Sequence, residues 1–203
     1  MYGSSIIGFV LLISHILACL TVGFLFRYWK KGNSSNIYFS KNSTNKNICF
    51  SELGSTIATC ISNATSTLFM IGGFVVLFSV IISIFEESHI LQFLTNFLTP
   101  FFSFLHIPTS FIKPMLIGLL EITNGISKIS CIHIKAISIN IILTSFILGL
   151  GGISVLFQII SITSQSDLSI KPYIIGKTLQ GLISALYTLL IITFIPAFNY
   201  NLF

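Results

Sequence analysis

Residues 114–134 read PMLIGLLEITNGISKISCIHI, and this stretch decides the fold. Its two apolar pieces, residues 115–120 and 126–134, are each too short to cross a bilayer, because a spanning helix needs about 20 residues. They meet at the polar sequence EITNG, residues 121–125. A backbone break at membrane depth is tolerated only where protein or water covers it. The pattern therefore predicts a re-entrant hairpin, which enters the membrane from one face and returns to that face.

The composition of the whole chain is that of a membrane protein. Of 203 residues, 54% are hydrophobic and only 7% are charged, whereas soluble domains carry about 25% charged residues. Ten Lys and Arg and five Asp and Glu could not cover the surface of a soluble fold of this size. This excludes a soluble globular enzyme, a disordered chain and a nucleic-acid-binding domain. We expect the lipid bilayer to be the main partner, and no nucleic acid.

Long apolar stretches around the hairpin, all but the last of them charge-free, predict an all-α integral membrane fold with about five transmembrane helices. These stretches are residues 4–26, 67–85, 89–112, 136–163 and 173–195. Pro100 and Pro108 interrupt the third, so we expect its first helix to end at about Thr99. Glycines within residues 149–152 interrupt the fourth, which predicts a broken helix. The paired Gly72 and Gly73 in the second predict close approach of another helix.

The basic residues predict the orientation and the division of the chain. Residues 1–31 form a transmembrane helix with a basic stop, residues 32–51 a polar loop, and residues 52–203 a membrane domain with breaks at 121–125 and 149–152. Because cytoplasmic loops carry excess Lys and Arg, we place the loop inside the cell. Met1 then lies outside, which is natural for an internal piece of a longer protein.

Alternation of the predicted spans then places the other charged residues. Glu86 lies on the outer side, and Lys113 and the base of the hairpin lie on the inner side. Lys171 and Lys177 disagree with this arrangement, because it puts them outside.

Glu121 is the most informative polar residue. An ionisable group at membrane depth costs at least about 2.5 kcal/mol, so it usually faces a cavity or a partner. Thr123 and Asn124 add a hydroxyl and an amide, and Gly125 frees the backbone. One hypothesis is a midplane site for a small polar solute or a cation. The alternative is that Glu121 caps the second half-helix or pairs with Lys128.

The second break lies in GLGGISVLFQ, residues 149–158. Ser154 and Gln158 are four residues apart and so lie on one helical face. Transporter sites form where discontinuous helices meet, so these two residues are candidates for the same site. The alternative is helix packing, with Gln158 hydrogen-bonded to a neighbouring helix. No His/Cys cluster or catalytic motif occurs in the sequence. We therefore expect no cofactor, no metal site and no enzymatic activity.

Five segments together resemble the YlbJ family of sporulation integral membrane proteins, which carry the nucleoside-recognition or Gate type of membrane domain. They are IIGFVLLISHILACLTVGFLFRYWK (6–30), STLFMIGGFVVLFSVIISIF (66–85), GLLEITNGI (118–126), GLGGISVLFQIISIT (149–163) and SIKPYIIGKTLQGLISALYTLL (169–190). The resemblance covers nearly the whole chain but only the C-terminal half of the family's length. It implies that residues 52–203 form a Gate-like domain, and that a partner chain supplies the N-terminal Gate half or the gene is split or truncated.

The resemblance also implies a function. It implies a role in spore cortex formation in a forespore or mother-cell membrane, and distant kinship with Gate domains of concentrative nucleoside transporters and ferrous-iron transport proteins. In those nucleoside transporters a Glu beside a hairpin break contacts the solute, and Glu121 has a similar setting. We expect a transporter-like or gating module. The alternative is a non-transporting assembly protein that docks a partner half, a second copy or a complex.

Overall fold

The computed structural model describes residues 5–27, 50–132, 137–164 and 169–194, which are helical almost throughout. The helices are α1 (Ser5–Phe26), α2 (Phe50–Glu87), α3 (Ile90–Phe104), α4 (Ile112–Leu120), α5 (Ile122–Ser130), α6 (Ile137–Leu150), α7 (Gly152–Thr163) and α8 (Lys171–Phe194). A 3₁₀ turn, Thr109–Phe111, precedes α4. Most of the predicted loop 32–51 lies outside the described residues. The all-α membrane fold with a hairpin and a broken helix is confirmed.

Four helical units of the described ranges are long and apolar enough to cross a membrane. They are Ser5–Phe26, Leu53–Glu87, Ser138–Thr163 and Lys171–Phe194. The prediction counted residues 89–112 as a further span, but this stretch forms the shorter helix α3 and the start of a second one. Its helix does not end at Thr99 either. Pro100 is exposed inside α3 and removes only one hydrogen bond, and the helix continues until His106 adopts a left-handed φ of 56°.

Helices α1, α6 and α8 pack together around buried hydroxyl groups. The Thr188 hydroxyl donates to Ser14 Oγ at 2.9 Å and lies 2.7 Å from Ser145 Oγ. Ser145 Oγ is in turn 2.8 Å from Ser184 Oγ. All four side chains are buried. Hydrogen bonds of this kind hold helices together in a bilayer, where apolar surface alone gives little preference for protein over lipid.

Contacts along α8 fix which helix ends lie together. An added Cβ at Gly176 would be 3.8 Å from Phe26 and Val22, so the start of α8 lies beside the end of α1. At the opposite end Ile7, Ile141 and Ile192 form one buried cluster. The start of α1, the start of α6 and the end of α8 therefore lie together. We call the other end, where α1 ends and α8 begins, the Arg27 end.

The hairpin formed by α4 and α5 enters from the other end. Lys113 near the start of α4 and Lys128 near the end of α5 contact the same oxygen of Glu86, at 3.0 and 2.7 Å. Only residues 131–136 separate α5 from α6, which begins opposite the Arg27 end. We call this opposite end the Glu86 end.

The predicted entry of the hairpin on the Arg27 side is therefore wrong. The prediction assumed that residues 89–112 cross the membrane, but neither helix formed by this stretch reaches the length of a spanning helix. Lys171 and Lys177 no longer disagree with the predicted orientation. The contacts of Gly176 with Phe26 and Val22 place the start of α8 at the Arg27 end, on the side predicted to face the cytoplasm.

Candidate functional site

The first break is closed by the side chain of Glu121. This residue has extended backbone, with φ −143° and ψ 122°, between α4 and α5. Its carboxylate accepts hydrogen bonds from the backbone N–H groups of Thr123 and Asn124, at 3.1 and 2.8 Å, and from the Thr123 hydroxyl at 2.7 Å. These are donors of the first turn of α5, which would otherwise be unsatisfied.

This geometry separates the alternatives for Glu121. The carboxylate caps α5, as one interpretation of the sequence held, whereas Lys128 pairs with Glu86 and not with Glu121. Glu121 is only 3% exposed. An ionised carboxylate offers about four acceptor positions, and the cap occupies three of them. Within the described ranges these are the hydrogen bonds that the Glu121 carboxylate accepts from other residues, so one acceptor position is left without a partner.

Gly125 has a packing role that the sequence interpretation missed. An added Cβ would lie 2.0 Å from the Gly118 Cα and 2.4 Å from the Gly118 N, closer than any real contact. The two arms of the hairpin therefore touch backbone to backbone at this pair. The sequence signal was the spacing of Gly118 and Gly125 on either side of the polar break.

Asn124 connects the hairpin tip to α2. Its side-chain amide donates to Ser79 Oγ at 2.9 Å. Ser79 was not singled out from the sequence, although it is a hydroxyl in the apolar run FVVLFSVII, residues 74–82. The neighbouring Phe78 packs against Phe157 of α7, with ring centroids 5.9 Å apart. Helix α2 therefore contacts both broken elements at adjacent residues.

The second break consists of two left-handed glycines. Gly151 has φ 91° and Gly152 φ 68°, conformations that cost L-residues about 1–2 kcal/mol. Gly151, which precedes α7, has no side chain, and no side-chain cap of α7 is found among the described residues. An added Cβ at Gly152 would be 3.2 Å from the Gly118 carbonyl oxygen and 3.4 Å from Ile122 Cγ1. The two breaks therefore lie against each other.

Ser154 and Gln158 lie on the buried face of α7. They are 2% and 9% exposed, and the Gln158 amide donates to Ser154 Oγ at 3.3 Å. Among the described residues, no hydrogen bond joins this pair to Glu121. The structure thus brings together the backbones at the two breaks, while the polar side chains of each break bond within their own segment or to α2.

A cavity of about 220 Å³ lies beside the second break, between α4, α7 and α8. Leu119, Gly152, Leu156 and Tyr173 are among the residues that line it, and Lys177 is its charged group. None of the six residues selected from the sequence lines this cavity. Within the described ranges, no three His, Cys, Asp or Glu side chains lie close enough to hold a metal ion.

Comparison with known proteins shows what these elements are similar to. Residues 68–166 match the Gate family, described as nucleoside recognition. The chain is 32% identical over 139 residues to the sporulation integral membrane protein YlbJ of Bacillus subtilis (strain 168). The match covers 68% of this chain and 34% of that relative, so it spans about a third of the relative's length. No solved structure matches the chain.

The matched region coincides with the elements that carry the site. It contains most of α2, the whole hairpin, both breaks and α7. The four spanning units show independently that the chain is built for a bilayer. The chain is therefore a multi-pass membrane protein similar to YlbJ, and its residues 68–166 match the Gate family.

Proposed function

We propose that this chain is a sporulation membrane protein needed for formation of the spore cortex, in the forespore or mother-cell membrane. It acts there as a transporter-like or gating module for a small polar solute or a cation, and not as an enzyme. The sporulation role rests on the similarity to YlbJ. The transporter-like or gating role rests on the contact between the two helix breaks, where Gly152 lies against Gly118 and Ile122.

The proposed site uses the groups gathered around that contact. Glu121 supplies negative charge through its remaining acceptor position, and Thr123 and Asn124 fix the carboxylate and the hairpin tip. Gly125 lets the two arms close. Ser154 and Gln158 supply a hydroxyl and an amide from α7. Half-helix ends and polar side chains near the middle of a bilayer are the usual elements of such sites.

Gene deletion with complementation tests this proposal. The deletion strain receives wild type, Glu121→Gln or the matched control Glu87→Gln, which changes an exposed carboxylate at the end of α2. Heat-resistant spores and cortex thickness are scored, with membrane levels checked by blotting. We expect wild type and Glu87→Gln to restore both measures and Glu121→Gln to fail at equal membrane level. Full rescue by Glu121→Gln would refute a role for the Glu121 charge.

The solute class has a separate test. The family description names nucleosides, so purified protein is heated with uridine, adenosine, NaCl or MgCl₂, and the melting temperature is recorded. A rise with one probe that disappears in Glu121→Gln supports binding at the break. A rise that persists in this variant would place binding elsewhere.

A second candidate function is supported by the exposed part of α2. Helix α2 has 38 residues, yet an added Cβ at Gly54, Gly72 or Gly73 would meet nothing within 4 Å. The predicted close helix approach at Gly72 and Gly73 therefore does not occur within the described residues. This surface favours an assembly protein that docks a partner Gate half, a complex or a second copy of the chain.

Oxidative crosslinking in native membranes tests the assembly role. Cys60 is exposed on the same part of α2. A higher-mass product that disappears in Cys60→Ser would support docking there. Only monomer, together with a ligand-dependent melting shift, would favour the transporter-like role.

A further inference from the structure

Helix α3 begins and ends at the same face of the protein. A link of two residues, Ser88 and His89, joins it to α2, and His89 turns the chain with a left-handed φ of 59°. Residues 105–108 lead from its other end to the 3₁₀ turn before α4. Lys113, close after that turn, contacts Glu86 at 3.0 Å. Both ends of α3 are therefore near the Glu86 end.

The length of α3 agrees with this placement. Its 15 residues make about 22 Å of helix at 1.5 Å per residue, whereas the hydrocarbon core is about 30 Å thick. A helix that neither reaches the other face nor continues toward it lies obliquely or parallel to the membrane plane.

The side chains of α3 divide into three faces. At about 100° per residue, the exposed apolar side chains fall within an arc of about 100°; they are Ile90, Phe93, Phe97, Pro100, Phe101 and Phe104. The exposed polar side chains Gln92, Asn96 and Ser103 form a separate narrow strip. The third face is buried against the protein through Leu91, which clusters with Ile82 and Ile117.

The exposure of the phenylalanines indicates what covers the first face. Phe93, Phe97 and Phe104 are 72%, 73% and 79% exposed, an arrangement that water would disfavour strongly. The adjacent polar strip contains Gln92, whose amide donates to Asn96 at 3.3 Å and leaves other donors and acceptors unmatched within the helix. These groups would be costly at the hydrocarbon midplane. Lipid acyl chains against the phenylalanine face and water against the polar strip would suit both sets of side chains.

We propose that α3 is an amphipathic helix lying in the lipid–water interface at the Glu86 end, with lipid acyl chains as the occupant of its phenylalanine face. Gln92, Asn96 and Ser103 face the aqueous side, and Leu91 holds the helix on α2 and the hairpin. Helices of this kind insert about 5–10 Å into the boundary between headgroups and acyl chains. The helix thus fixes the depth at which the base of the hairpin sits.

Tryptophan quenching by brominated lipids measures this depth directly. The native Trp29 is first replaced in Trp29→Phe, which removes the single tryptophan. Phe97→Trp then reports α3, and Val76→Trp, at a 64% exposed position within α2, reports the interior of a span. Each protein is reconstituted in phosphatidylcholine vesicles with bromines close to the headgroup or close to the acyl-chain terminus.

The two probes should respond oppositely. We expect shallow bromines to quench Phe97→Trp at least about twofold more than deep bromines, because the ring lies about 5–10 Å deep. Deep bromines should quench Val76→Trp more strongly. Equal or deeper quenching at position 97 would show that α3 enters the core, and no quenching by either lipid would show that protein covers this face; both overturn the proposal. If Phe97→Trp fails to fold, Phe93→Trp one turn earlier gives the same readout.

Discussion

Both helix breaks were predicted from an interruption of an apolar stretch, but they have different physical solutions. At Glu121 the backbone is extended, and a carboxylate satisfies the exposed N–H groups of the next helix. At Gly151 and Gly152 the backbone is left-handed, and the residue that precedes the next helix is a glycine, which has no side chain to cap it. The first break depends on a charge and on donors, whereas the second depends on the lack of a Cβ. An interruption of an apolar stretch therefore does not by itself indicate whether a substitution will disturb a capping interaction or the backbone conformation.

The comparison leads to a ranking of substitutions, measured as the thermal midpoint of the purified chain in detergent together with its size-exclusion profile.

Gly125→Ala should have the largest effect. The new methyl group would meet backbone atoms of Gly118 at 2.0 and 2.4 Å, so the hairpin arms must separate. We expect a loss of about 3 kcal/mol, the upper part of the range for overpacking, seen as a much lower midpoint or as aggregation. Gly73→Ala is the matched control, since its added Cβ meets nothing within 4 Å. Equal behaviour of the two variants would contradict the close contact of the arms.

Glu121→Ala should come next. It removes the acceptor for the Thr123 and Asn124 N–H groups, and loss of a helix N-cap costs up to about 2 kcal/mol. Glu121→Gln keeps one acceptor oxygen and should lose clearly less. A midpoint for Glu121→Ala equal to that of wild type would show that the cap contributes nothing to stability.

Gly151→Ala tests the second break by conformation alone. Space is available, because the nearest atom to an added Cβ is 3.8 Å away, but φ is 91°. We expect a loss of about 1–2 kcal/mol. Gly151→Asn should lose less, because Asn adopts left-handed backbone more readily. If Ala and Asn gave the same midpoint, strain would not be the reason for glycine here.

Lys128→Met should have the smallest effect. Its ion pair anchors the base of the hairpin to Glu86, but the Lys128 side chain is 42% exposed, and exposed pairs contribute about 0–1 kcal/mol. A double-mutant cycle with Glu86→Gln isolates this pair, although Lys113 shares the same oxygen. A coupling free energy between Lys128 and Glu86 well above about 1 kcal/mol would mean that this end of the hairpin is buried when the protein is in the membrane.

Prediction from the sequence succeeded where short segments carry the information. The apolar runs gave the spans, and the interruptions gave the breaks near Glu121 and Gly151. The binding site itself stays a prediction. Glu121 does lie at the first break, but the sequence left open whether it caps, pairs with Lys128 or faces a solute. Ser79 was missed, because a hydroxyl in an apolar helix reveals its partner only after packing.

The sequence by itself determined that this is a helical membrane protein with a hairpin and a broken helix. Bilayer thickness and backbone hydrogen bonding act on each segment locally, so a single segment is enough to read them. Only the tertiary structure decided that the hairpin enters at the Glu86 end, that Lys128 pairs with Glu86, and that Gly118 meets both Gly125 and Gly152. These features join residues far apart in the chain. They depend on the directions in which helices leave their connections, and one left-handed residue such as His89 changes that direction without changing the apolar pattern.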